Sequence, residues 1–287
     1  MEPKCVVFAN QKGGVGKTTL AVHMAIHAHN MGFRTLLVDL DQQGSSTFLL
    51  TGDADRHQTE AGTALDLWYP NRKVPVQVSP IFGFDFLQAS AALDAVDDDL
   101  DPAIRALRRL LVVDSGQGPY HVVVVDCPPA PGVRQMAPLM VADRLVVPVT
   151  PDALGTQGLA SMIQLGLTQV RPVNPKLELR VLINRLKANS PKNRAIAQNL
   201  HDQLPEFVLP DDLYEREDVR TGLRLGKPYW EVCRDAGQQD AWYQTFDGLL
   251  EGVEGDEAQT QGVEVDAPDN ADEILAQQEA RRGEVMS

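Results

Sequence analysis

Residues 11–19 read Gln-Lys-Gly-Gly-Val-Gly-Lys-Thr-Thr, setting glycines, lysines and hydroxyls together between an apolar strand pattern and a helix pattern. Glycines let consecutive backbone N–H groups converge on phosphate oxygens, and the N-terminus of the following helix adds partial positive charge. Gly13, Gly14, Val15 and Gly16 supply that cradle. Lys17 is placed for the β- and γ-phosphates, the Thr18 hydroxyl for a magnesium ion, and Thr19 for the α-phosphate. The usual pattern, Gly-x-x-x-x-Gly-Lys-[Ser/Thr], opens on a glycine, where this chain offers only Gln11 or Asn10. A glycine-rich turn with no ligand would use the same residue types, but strand, loop and helix stand here in the order that phosphate binding requires.

Two further segments end an apolar strand on a carboxylate. In Leu36-Leu37-Val38-Asp39-Leu40-Asp41-Gln42-Gln43-Gly44, Asp41 lies just beyond the strand end. From there a carboxylate can orient the water that attacks the γ-phosphorus and hold magnesium-bound waters. The alternative is that these Asp residues cap the following turn. In Tyr120-His121-Val122-Val123-Val124-Val125-Asp126-Cys127-Pro128-Pro129, Asp126 ends a β-branched run and is placed to hold magnesium through water, with two prolines stiffening the next loop. Each segment alone is common; at this ordered spacing they reinforce one another.

Lys12-Gly13-Gly14-Val15-Gly16-Lys17-Thr18-Thr19 resembles the deviant Walker A motif of the ParA/MinD ATPases, whose extra lysine is matched by Lys12. The resemblance covers residues 4 to about 250, with residues 36–44 similar to the family's Walker A′ segment and 120–129 to its Walker B segment. Gln42 stands where that family usually has proline. The resemblance implies ATP and Mg²⁺ as cofactors and Lys12, Lys17 and Asp41 as catalytic residues. It implies an ATP-dependent homodimer in which Lys12 reaches the partner subunit's phosphates and supplies the charge of an arginine finger. A solvated lysine near a loop is the plainer reading. Asn184, in Val181-Leu182-Ile183-Asn184-Arg185, resembles the family's adenine contact, and Pro210, after Leu209, resembles the start of its second adenine loop, although Asp211-Asp212 depart from the basic residue often found there. Residues 217–228 resemble a late segment ending in Gly-Lys-Pro.

Relatives of this kind hold nonspecific DNA in the ATP state and release it when a ParB-like or other cargo adaptor stimulates hydrolysis. The candidate DNA contacts are Arg185, Lys187, Lys192, Arg194, Arg216, Arg220, Arg224 and Lys227. Ordinary solvated charges interleaved with carboxylates are the alternative. With a strand starting at residue 4, no helix-turn-helix is expected before it, nor operator-specific binding. A MinD-like membrane-cycling ATPase would call for a basic amphipathic helix, whereas the last residues are acidic. Cys5, Cys127 and Cys233 form no Cys-x-x-Cys pair, which argues against a cluster-carrying relative, zinc or a disulfide framework. An ATP-binding regulator without turnover is a further alternative.

These residues need a scaffold that brings strand ends to one edge. Strand patterns are expected at 4–9, 34–39, 84–88, 121–126, 144–149, 178–183 and 206–209. Helical patterns are expected at 17–30, 63–69, 100–112, 133–141, 155–170, 192–203 and 239–250. Alternation of this kind predicts an α/β P-loop NTPase: a mostly parallel twisted sheet with helices on both faces. A length of 287 residues with 43% hydrophobic content suffices for a full core. No apolar run long enough to span a membrane and no signal-peptide pattern occurs, so a soluble protein is expected, cytoplasmic and nucleoid-associated in its ATP state. The formal charge of −14 is concentrated late: residues 251–287 carry −9, leaving −5 for residues 1–250. The expected organisation is an ATPase domain over 1–250 and an acidic, disordered segment over 251–287, with a short helix possible at 270–282 and a docked helical segment as the alternative.

Overall fold

The computed structural model describes residues 3–55, 62–74, 76–96, 100–113 and 118–254. The acidic segment read as disordered therefore lies, from residue 255 onward, outside the described residues. Seven strands form one sheet: β1 (Lys4–Phe8), β2 (Thr35–Asp39), β3 (Gln77–Val78), β4 (Asp85–Leu87), β5 (Val122–Asp126), β6 (Arg144–Val149) and β7 (Glu178–Ile183). Their order is β3-β4-β2-β5-β1-β6-β7, and every pairing is parallel except β3 with β4.

Continuous apolar runs form the central strands because both faces are covered. Val123 and Val125 of β5 and Cys5 and Val7 of β1 enter one core with α3 (Leu100–Leu110), α4 (Val133–Leu139), α5 (Ala153–Leu165) and α6 (Pro191–Gln203). Val122, Val124, Val6 and Phe8 enter the other, with α1 (Lys17–Asn30), α7 (Glu217–Arg224), α8 (Tyr229–Val232) and α9 (Ala236–Leu250). Each such fully buried side chain contributes about 1.5–3 kcal/mol relative to exposure, so two covered faces supply the driving force that fixes the sheet.

Several expectations need correction. Residues 206–209 are not a strand: Val208 makes one isolated bridge to Val181, and Pro205 and Pro210 bracket the segment, removing the donors that a longer ladder would need. The helix expected at 63–69 is a 3-10 helix, Ala64–Trp68, and α5 passes into a π-helical turn over Gly166–Val170. Three α-helices of the described residues, α2 (Ser45–Thr51), α7 and α8, were not expected, nor were the 3-10 helix Ala91–Val96 and the two-residue β3. The interior glycine of α7 masks its pattern, yet a Cβ on Gly222 would lie 2.9 Å from Val232 and 3.0 Å from the Lys227 carbonyl, so the close approach of α8 demands it.

Candidate nucleotide site at the carboxyl edge of the sheet

Because the main strands run parallel, β1, β2, β5, β6 and β7 all end on one edge, where ligands of open α/β sheets bind. The phosphate loop leaves β1 and enters α1 at Lys17, with Gly14 at φ 77° and Gly16 at φ 98°, backbone conformations that glycine adopts without strain. A Cβ on Gly16 would stand 2.4 Å from Asn184 Nδ2, whereas Gly13 and Gly14 have no such neighbour within 4 Å. The buried Asn10 anchors the loop base: its Oδ1 accepts from Lys12 N at 2.9 Å and its Nδ2 donates to the Pro148 carbonyl at 2.7 Å. The loop borders a cleft of about 850 Å³ lined by Gly13, Gly14, Gly16, Lys17, Thr18, Thr19 and Asp41, together with Asn184 and Arg185.

The two lysines of the loop part company. Lys17 is buried, its Nζ 3.4 Å from the Lys12 carbonyl, and burial lowers its pKa against the pull of Asp126. Lys12 turns away to α5, where its Nζ meets Asp152 Oδ1 at 2.8 Å and Thr150 Oγ1 at 3.0 Å. Asp152 also caps α5 by accepting from Gly155 N at 2.7 Å. Burial would raise its pKa, but the bonds from Lys12, Gly155 and Thr150 outweigh that and bring it down to about 2. No sequence signal marked Asp152 or the close approach of Gly158, where a Cβ would fall 2.9 Å from Asn10 Oδ1.

Asp126 is fully buried, and Ser46 Oγ donates to its Oδ2 at 2.7 Å while Oδ1 has no partner. Burial raises its pKa to about 6, opposed by the bond from Ser46, by the neighbouring Thr18 hydroxyl and by the charge of Lys17. A buried carboxylate oxygen left unpaired beside Thr18 fits a cation's water shell. Mg²⁺ needs only one or two carboxylates when phosphates and waters complete its octahedron. Among the described residues no group of three or more His, Cys, Asp or Glu side chains forms a metal cage. Asp41 lines the cleft, its N–H bonded to Asp39 Oδ1 at 3.1 Å. Asp39 itself is structural: its Oδ2 accepts from both the N–H and the hydroxyl of Thr47 at 2.8 Å, fixing α2. Burial and the nearby Asp126 push its pKa well up. Gln42 accepts from the buried Arg134 at 2.5 Å and so ties the loop after β2 to α4.

Asn184 lines the cleft, with its Nδ2 committed to the Val15 carbonyl at 2.8 Å. Pro210 is exposed and does not line the cleft; Tyr214 to Glu217 do so instead. Of the candidate DNA contacts, Arg185, Arg216, Arg220 and Arg224 border this cleft. Arg185, at φ 56°, donates to the Gly14 carbonyl at 2.7 Å and to Glu215 at 3.0 Å. Lys187 pairs with the same Glu215, and Arg216 with Asp235 at 2.7 Å. Arg194 donates to the Ala188 carbonyl, Lys227 is exposed after α7, and Lys192 lines a separate groove between α5 and α6. The structure thus gathers half of the basic candidates at one cleft and sets the others apart. No described helix is long and apolar enough to cross a membrane.

Residues 3–179 match the family described as an AAA domain. The cell division protein PomZ of Myxococcus xanthus is 31% identical over 224 residues, covering 77% of this chain and 70% of PomZ. Protein IncC of Escherichia coli is 28% identical over 243 residues, and the match spans 82% of this chain but only 65% of IncC. Among solved structures, a substituted McdA from Cyanothece in complex with ATP shares the fold at a TM-score of 0.71 and 20% identity, covering 88% of this chain and 98% of that one. A cleft suited to a magnesium nucleotide and a family match over more than half of the sequence lead to one assignment: the chain belongs to the ParA/MinD family of P-loop ATPases.

Proposed function

We propose that this ATPase positions a cargo, its ATP-bound dimer holding nonspecific DNA and releasing it when a ParB-like or other adaptor stimulates hydrolysis. The observation that carries the reading is the divergence of the two loop lysines. Lys17 sits under its own phosphate cradle, while the Lys12 ammonium lies outside it on Asp152, where a second subunit could take it over. A partly exposed ion pair of this kind is worth about 1 kcal/mol, so exchanging it for a partner's phosphates costs little.

Bound ATP-Mg²⁺ would bring the triphosphate whose γ-phosphorus is attacked. The loop amides and Lys17 would hold the phosphates, Thr18 and Asp126 would hold the magnesium and its waters, Asp41 would orient the attacking water, and Lys12 would neutralise charge across the dimer. The name of PomZ, a cell division protein, and the family resemblance support a partition or positioning role, and the arginines around the cleft support the DNA contact. On this reading the protein is cytoplasmic and joins the nucleoid in its ATP state.

Three variants separate the roles. Lys17→Ala is expected to lose nucleotide binding, Lys12→Ala to bind ATP without dimerising, and Asp41→Ala to bind ATP and persist as a DNA-bound dimer. Wild-type phosphate release by the Asp41→Ala protein in the presence of DNA would sink the catalytic assignment. A regulator without turnover would release no phosphate in any of the four proteins.

A further inference from the structure

Arg220 and Arg224 lie one turn apart on α7, on one helical face, Arg216 is the residue that precedes the helix, and all three line the nucleotide cleft. Like charges at that spacing disfavour the helix by a few tenths of a kcal/mol per pair unless an anion answers them. Arg216 is answered by Asp235, but Arg220 and Arg224 form no ion pair among the described residues. Beside these cations, and next to Glu215 and Glu217, the cleft presents the apolar side chains of Phe48 and Leu49 from α2, backed by the buried Val219, Leu223 and Trp242 of α7 and α9. Phe48 is 39% exposed, and the Trp242 indole N–H is buried without a partner. A cationic rim over an apolar floor selects an acidic peptide carrying a few aliphatic side chains.

We infer that the chain carries its own occupant: the segment around Asp269, Asp272, Glu273, Ile274 and Leu275 docks on this face, its carboxylates on Arg220 and Arg224 and its aliphatic pair on the apolar floor. Residues 255–287 hold nine carboxylates against Arg281 and Arg282, and Asp272-Glu273 directly precede Ile274-Leu275, an order that matches rim and floor. The tether is long enough. From Trp242 to Leu250 the helix rises about 12 Å, and the roughly twenty residues after Glu254 can extend to about 65 Å. A tether of that kind presents the segment at an effective concentration in the millimolar range, enough to make a weak ionic contact persist. Docked there, the segment covers the arginines that DNA phosphates would otherwise meet. The docking itself does not depend on the DNA reading.

A disulfide test on the full-length chain reads the contact without DNA. The native cysteines Cys5, Cys127 and Cys233 are all buried, so mild oxidation reports on engineered pairs. Glu217→Cys with Ala271→Cys is expected to form an intramolecular cross-link at low salt, independent of protein concentration. Adding Asp269→Asn, Asp272→Asn and Glu273→Gln is expected to slow it several-fold. The control, Lys192→Cys with Ala271→Cys, reports the groove between α5 and α6. Docking is overturned if the Glu217 pair cross-links no faster than the control, or only between two chains, which would make a second copy the occupant. Either result leaves the DNA reading intact.

Discussion

Asn184 Nδ2 donates to the carbonyl of Val15 at 2.8 Å, fastening the end of β7 to the turn of the phosphate loop across 169 residues of sequence. The same amide sits 2.4 Å from where a Cβ on Gly16 would be, so loop and strand end are fitted to each other.

Gly16→Ala therefore meets two obstacles, a backbone at φ 98° and the Asn184 amide. Strain at such a φ costs about 1–2 kcal/mol before the collision is counted, and each 1.4 kcal/mol is tenfold in affinity. Titration with a fluorescent ATP analogue is expected to show at least roughly tenfold weaker binding. Adding Asn184→Ala should recover only part of it, because the backbone strain stays. Full recovery by the double variant would mean that the strain contributes nothing.

Acid stability should report on His23, which is fully buried under Trp230 and Trp242. Its Nε2 accepts from the Tyr229 N–H at 3.0 Å and its Nδ1 lies 2.7 Å from the Thr19 carbonyl, which fixes the neutral tautomer. Burial lowers its pKa from 6.5 to about 4. Between those values the unfolded chain binds a proton that the folded one refuses, so stability falls as pH drops from 6.5 towards 4 and is unaffected by this group above 6.5. The full effect is roughly 3 kcal/mol. Urea midpoints at a series of pH values should show that slope, shallower in His23→Gln. It should not vanish, since burial also lowers His27 and His29. An unchanged slope in the variant would assign the acid sensitivity elsewhere.

The chemistry of the loop was legible because Gly13 to Thr19 must be local to work, and the covered strands were legible because Val122 to Val125 have no polar face. Partners distant in sequence were not. Ser46 on Asp126, Arg134 on Gln42 and Asp152 on Lys12 arise only when the sheet sets β2, β5, β1 and β6 in order, and no spacing encodes them. Residues 206–209 were over-read because apolar content was given more weight than the flanking prolines, and α7 was under-read because Gly222 looks like a breaker until α8 is packed against it.

The Lys12–Asp152 pair should restrain dimer formation. Asp152→Asn removes the charge yet leaves an oxygen able to cap α5, so stability should change by less than about 1 kcal/mol. With Lys12 released, analytical ultracentrifugation in Mg-ATP should show dimerisation at equal or lower protein concentration than wild type. A requirement for more protein would show that Asp152 helps the lysine to its target.

Asp126 sets stability against function. Its carboxylate is buried, with one oxygen bonded to Ser46 and the other unpaired, an arrangement that costs desolvation and that a bound cation would relieve. Asp126→Asn removes the charge while an amide oxygen can still accept from Ser46. The nucleotide-free variant is expected to melt a few degrees above wild type, about 2–4 °C per kcal/mol for a chain of this size. Its nucleotide affinity should become insensitive to magnesium, whereas wild-type affinity should rise with it. Calorimetry with and without EDTA measures both effects, and a variant that melts lower yet keeps its magnesium response would show that the carboxylate serves packing and not the metal.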